Sequence, residues 1–192
     1  VYLAPTLEHE SAGMKAIPTW VPEGETPAQL TGGGAQANRY GLKTWASLFR
    51  PRQLVAMTTF SDLVQESRER VERDALAAGL LDDAKPLRDS GTGATAYADA
   101  VAVYLSCGMG RAADYWNSIA TWEAGGGFVA HAFTRQAIPM VWDFAESSPF
   151  SDASGNWEST CMDWVARVVE NFFPANGGVA AMSDAQTQVV SA

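Results

Sequence analysis

The sequence predicts a mainly α-helical domain with an irregular N-terminal arm and one or two short edge strands. Two observations carry that prediction. Apolar residues recur at helical spacing in three separate stretches, and clusters of glycine and proline divide those stretches from one another.

Residues 1 to about 38 read as an irregular arm. Pro5, Pro18, Pro22 and Pro27 punctuate it, and Gly32-Gly33-Gly34 closes it. The first helix is expected over roughly 52–78. Pro51 suits a first helical turn, where its missing N–H is no loss. Leu54, Met57, Leu63, Val64, Val71 and Ala75 then form one apolar stripe, and Gly79 is a plausible stop. Residues 80–93 read as a loop, with Thr92 or Thr95 as the cap of a second helix. In that helix Tyr97, Val101, Tyr104, Leu105, Gly108 and Ala112 share a face. Gly108 and Gly110 each weaken it by about 1 kcal/mol relative to Ala, and their small size suits close approach of another backbone.

Gly125-Gly126-Gly127 ends this region, and residues 128–137 read as a short helix. Ile138 to Ala145 is apolar and contains Pro139, which leaves a helical turn and a strand both open. Pro149 to Gly155 is a loop and Asn156 a candidate N-cap. Trp157, Cys161, Trp164, Val165, Val168 and Phe172 mark a last helix, stopped by Pro174. The expected division is an arm over 1–38, a helical domain over 39–174 and a loop over 175–192, with Gln186 to Ser191 as an edge strand.

A chain of 192 residues buries roughly 70% of its unfolded surface, enough for a real core. Seven Trp is a high number, and rings of that size belong in a core or an interface. The net charge of −9 opposes nucleic-acid binding by bulk charge. Basic residues nevertheless cluster at Arg39, Lys43, Arg50 and Arg52, and again at Arg68, Arg70 and Arg73. Glu66, Glu69, Glu72 and Asp74 interleave with the second group, the pattern of a solvated helix face. Cys107 and Cys161 are the only cysteines and lack metal-ligand spacing, which points to buried, reduced thiols and a cytoplasmic location. No apolar run approaches the length of a membrane span, and the first residues lack the layout of a signal peptide. The ends, Val1 without a Met before it and Val189-Val190-Ser191-Ala192, read as cuts in a longer chain.

Catalytic signatures are sparse. Gly32-Gly33-Gly34 and Gly125-Gly126-Gly127 lack the pattern of a phosphate-binding loop. His9 and His131 lie near no nucleophile motif and read as surface or packing residues. Asp143 and Glu146, three apart, read as a solvated pair on one helix face.

Several stretches, in order, carry a resemblance. They are Arg39-Tyr40-Gly41-Leu42-Lys43-Thr44-Trp45, Leu48-Phe49-Arg50-Pro51-Arg52-Gln53-Leu54, Thr59-Phe60-Ser61-Asp62-Leu63-Val64 and Tyr97-Ala98-Asp99-Ala100-Val101. They continue with Thr134-Arg135-Gln136-Ala137-Ile138-Pro139-Met140-Val141-Trp142-Asp143-Phe144-Ala145-Glu146 and Pro149-Phe150-Ser151. Together they resemble the central part, about residues 39–172, of the large adenine-specific DNA methylases of bacteria and archaea, which carry a zinc-ribbon insertion and often lie in genome-defence loci. The chain departs from that pattern at Arg50, where the family has a capping Thr, at Ser148, where it has Asn, and at Thr121, where it has Arg.

The resemblance implies a methyl donor, S-adenosylmethionine, held by a Gly-rich Asp-Pro-Phe motif before this region. It implies an Asp-Pro-Pro-Tyr motif for the target adenine after it. Neither motif is in this sequence, so no cofactor and no catalytic residue is expected here, and Asp184 to Ala192 resembles the lead-in to the second motif. The expected partners are the remaining halves of the methylase, and DNA through them. Two roles stay open. In one, Arg50, Arg52 and Gln53 at a helix start, then Arg135 and Gln136, contact DNA; internal salt bridges or caps are the competing role of Arg52 and Arg135. In the other, the helices are a structural or protein-interaction module. There Trp45, Trp116, Trp122, Trp142 and Trp157 dock on neighbouring segments or fill the core, and the segment self-associates.

Overall fold

The computed structural model describes residues 4–28, 36–134 and 138–171. The expectations placed on Gly32 to Gly34, on Phe172 to Pro174 and on the 186–191 strand lie outside those residues. The fold is mainly α, with one two-stranded antiparallel sheet among the described residues. Its elements are α1 (Leu7–Met14), α2 (Gln36–Arg39), α3 (Pro51–Ala77), α4 (Ala94–Tyr115), β1 (Thr121–Glu123), β2 (Phe128–Ala130) and α5 (Asp163–Asn171). A π-helical turn, Trp157–Met162, leads directly into α5.

α3 and α4 are the frame. Pro51 begins α3, and the Gln53 side chain reaches back to accept the Arg50 N–H at 2.8 Å. That is half of a capping box. The other half does not form, because Arg50 has no acceptor to offer where Ser or Thr would have one. The helix ends as expected. Gly79 takes φ +92°, and the Leu80 N–H closes onto the Ala75 carbonyl at 3.0 Å. The chain then reverses and α4 runs back along α3. Arg68 of α3 donates to Asp99 at 2.7 Å near one end, and Ala56, Met57 and Phe60 pack against Ala112 and Trp116 near the other.

The cap of α4 differs from the expectation. Neither Thr92 nor Thr95 holds that place; Gly93 does, without a side-chain acceptor. The acceptors come from the preceding loop. Asp82 takes the Thr95 N–H and hydroxyl, and Asp83 takes the Thr92 N–H. Gly93 is required because a Cβ there would lie 2.6 Å from the Asp82 Cα.

These hydrogen bonds hold the Asp82 and Asp83 carboxyls below the ordinary carboxylate range, chiefly through the Thr95 and Thr92 amides. Asp99 is also depressed, first by the Leu87 N–H and then by Arg68. A depressed carboxylate stabilises the fold above its unfolded pKa, ~4, and that contribution disappears as pH falls through the lower folded value. Thermal melts followed by circular dichroism should therefore show a falling Tm below about pH 4. The double change Asp82→Asn, Asp83→Asn should flatten that fall. A Tm that keeps its value on acidification, or the same fall in the double variant, would contradict this assignment.

Three further expectations are corrected. Residues 128–134 form no helix: Phe128–Ala130 pairs with Thr121–Glu123 in the register Thr121↔Ala130, Trp122↔Val129, Glu123↔Phe128, and the triglycine is the hairpin turn. The alternation favours it, with Val129 inward and Phe128 outward, and Gly127 supplies φ +69°. The stretch 138–145 is neither a helical turn nor a strand; it is irregular coil. The arm holds a short helix of its own, α1, capped reciprocally by Thr6 and His9. It is also tied down by a bridge between Glu25 and Thr44. Asn156 caps as expected, its side chain accepting from Ser159 and Thr160. Gly108 lies under the Met162 side chain and the Trp157 ring, so side chains and no backbone exploit its missing Cβ.

Candidate functional site

Residues distant in sequence meet at one junction, where the start of α3, the chain after α4 and the 145–162 segment come together. Trp116 is its centre, 1% exposed, with its indole N–H donated to the Gly155 carbonyl at 2.6 Å. Phe60 crosses Trp116 edge-on at 5.2 Å, and also meets Trp157 at 4.8 Å and Phe150 at 6.0 Å. Cys161 is fully buried beside them, and burial pushes its thiol up to about 11, partly offset by Arg111. A thiol so shifted is protonated at neutral pH and chemically inert.

Polar contacts fix the junction's rim. Asn117 is buried at the end of α4. Its amide donates to the Ala113 carbonyl and accepts from the Ile119 N–H, while its own carbonyl receives the Gln53 amide at 3.1 Å. The Ser118 N–H and hydroxyl both reach the Leu48 carbonyl at 2.8 Å. Arg52 forks onto Glu146, with Nε 2.7 Å from Oε1 and Nη2 bonded to Oε2. A small cleft of about 250 Å³ opens between that pair, Trp116 and Pro149.

The residues expected to contact DNA have other tasks here. Gln53 is 3% exposed, with both ends of its amide satisfied, so it is a cap and a brace and offers nothing outward. Arg52 takes the internal salt bridge weighed against its DNA role. The guanidinium is half exposed, and a pair of that kind contributes about 0–1 kcal/mol, so its service is alignment of 146 on α3. Arg50 lies with its guanidinium 5.7 Å from the centre of the Phe144 ring. Arg135 and Gln136 lie outside the described residues. Glu146 is therefore no helical neighbour of Asp143; the expected solvated pair is corrected to a bridge from the coil to α3.

The remaining candidates separate clearly. Trp116 is core, Trp157 is half-buried against it, and Trp45 and Trp122 stand near the surface. Trp142 is 81% exposed, with Tyr40 edge-on at 5.3 Å. His131 Nδ1 lies 3.0 Å from Asp114 Oδ2, and the same carboxylate takes the Phe133 N–H at 2.6 Å. That arrangement pins the strand end to α4. The bland expectation for His131 holds, but sequence reasoning missed its partner. It also missed Asn117, Gly155 and the Arg111–Trp164 stack. An Asn directly after a predicted helix is the one available signal, since a side chain there can bond free carbonyls.

Among the described residues no group of three or more His, Cys, Asp or Glu is placed to hold a metal ion, and no helix is long and apolar enough to cross a membrane. Comparison of the chain with protein-family models, with curated proteins and with solved structures gives no match.

Proposed function

We propose that this chain is a helical scaffold segment of an adenine-specific DNA methyltransferase, positioned between the donor-binding and target-base motifs of the intact polypeptide. One observation supports it. Four of the six stretches that resemble the methylases, though dispersed over the sequence, meet at a single junction through Arg52–Glu146 and Phe60–Phe150. Such interlocking suits a segment that sets the geometry of its two ends.

S-adenosylmethionine would be the donor of the whole enzyme. The residues present do not fit it. Gly125-Gly126-Gly127 is an exposed hairpin turn, with the Phe128 ring across Gly126, and forms no cradle before a helix. No chemical step is assigned to this segment. The two free cysteines support a reducing, cytoplasmic setting.

The test is the encoding reading frame. We expect a Gly-rich Asp-Pro-Phe motif upstream and an Asp-Pro-Pro-Tyr motif downstream; a frame holding neither contradicts the proposal. A second reading, a protein-interaction module without DNA, is favoured by the exposed aromatics Tyr97, Trp142, Phe150 and Trp164. Sedimentation distinguishes it, since that reading expects concentration-dependent self-association.

A further inference from the structure

α5 carries an exposed tryptophan framed by two arginines. Trp164 is 53% exposed, the Arg111 guanidinium of α4 lies 5.5 Å from its ring centre, and that of Arg167 lies 5.6 Å away. Arg111 is oriented by donating Nε–H to the Thr160 carbonyl at 3.0 Å. Among the described residues neither arginine pairs with a carboxylate, in contrast to Arg52, Arg68 and Arg70. The carboxylates of Asp163 and Glu170 stand on the same helix as Arg167, and neither lies within ion-pair distance of it.

The surface continues along α4. Cys107 is one helical turn, ~6 Å, before Arg111 on the same side. Cys107 and Ser106 line a groove of about 1030 Å³, whose opposite wall is the 3₁₀ turn bearing Leu87 and Arg88. Asp99, in the floor, is already occupied by Arg68 and the Leu87 N–H. Arg88 makes no ion pair among the described residues. Tyr104, exposed, lies seven residues before Arg111 and hence on its face. Cations with no carboxylate in ion-pair distance among the described residues and exposed aromatic rings therefore alternate from Arg88, whose charge also acts on Asp99, through Tyr104 and Arg111 to Trp164 and Arg167, on a molecule whose overall charge is −9.

We propose that this track, with Trp164 at its end, binds single-stranded DNA over a few nucleotides. A base would stack on the indole or on the guanidinium planes beside it, and the backbone phosphates would meet Arg88, Arg111 and Arg167. Guanidinium groups and indole suit that ligand together: phosphate takes the charge, and every base has a face to stack, so recognition needs no sequence. Bulk charge repels a polyanion here, so local cations without carboxylate partners are what permits it. The proposal deepens the methylase reading, on which it rests only for the choice of DNA over RNA.

The test is fluorescence anisotropy of a labelled oligothymidylate titrated with this chain at low salt. Trp164→Leu is expected to weaken binding about tenfold, the equivalent of one lost stacked base. Arg88→Glu with Arg167→Glu should weaken it further, and should lower the slope of log affinity against log salt by roughly 0.7 for each cation lost. Arg70→Glu, whose partner is Asp74 on α3, should leave binding unchanged. Circular dichroism of each variant separates lost binding from lost folding, and Arg88, on an exposed turn, tests the track if Trp164→Leu unfolds. Absence of measurable affinity overturns the proposal, as does affinity indifferent to Arg88→Glu and Trp164→Leu. A poly-glutamate peptide that binds as tightly, with the same variant sensitivity, would overturn it in favour of an acidic protein partner. The binding assay reads this chain alone and the motif test reads the flanking sequence, so either can fail without the other.

Discussion

Trp116→Ala is expected to lower the free energy of unfolding by about 3–5 kcal/mol, the range for deleting a large buried aromatic. Trp116 is the largest of the fully buried side chains. The change leaves a cavity between α3, α4 and the 145–162 segment, because its neighbours Ala112 and Ala56 are too small to close over it. Phe60 and Trp157 lose their aromatic neighbour, and the Gly155 carbonyl loses its donor. The cluster cannot compensate from elsewhere, since most other buried apolar residues of the described chain are alanines. Urea denaturation followed at 222 nm measures the loss. A cost below about 1 kcal/mol, the level of an ordinary surface change, would show that the junction is not the core of this fold.

Gly155→Ala should follow with a loss of about 2–4 kcal/mol, built from two independent penalties. Gly155 has φ +83°, where an L side chain is strained. The added Cβ would also lie 2.4 Å from the Ser147 Oγ and 2.7 Å from the Ser147 Cβ, far inside contact distance. Ser147 cannot yield easily, as it is buried and its hydroxyl has no hydrogen-bond partner to turn toward. Gly155 accepts the Trp116 indole N–H at its carbonyl and donates its own N–H to Thr160 Oγ1, so a shift of this residue is transmitted to both. Adding Ser147→Gly should recover the steric part and leave the backbone part, about 1–2 kcal/mol. Equal stability of Gly155→Ala and the unaltered chain in the same denaturation series would contradict the close packing.

The long helices were legible because their apolar residues recur at helical spacing and their ends carry strong punctuation. Pro51 and Gly79 mark α3 within a residue or two, and Asn156 marks the turn before α5. The hairpin was missed because three-residue strands give too little alternation to compete with a helical reading of an apolar run. The α4 cap was missed because its acceptors, Asp83 and Asp82, lie nine and thirteen residues before the amides they accept from, beyond the reach of a local cap pattern. The rim of the junction depends on contacts such as Arg52 with Glu146 and Ser118 with Leu48, 94 and 70 residues apart. Nothing in the local sequence announces such partners. Arg52 and Gln53 looked outward because basic and amide residues at a helix start suit phosphate; folding turned one inward and bound the other to a carboxylate. Arg111 and Trp164, unremarkable in their own segments, acquire their relation only when α5 lies against α4.

The assignment of a scaffold role is tested most directly by methyl transfer to adenine in duplex DNA from labelled S-adenosylmethionine, measured with this chain alone and with the complete polypeptide side by side. Label is expected in DNA from the complete polypeptide and none from the chain alone. Turnover by the chain alone would contradict it.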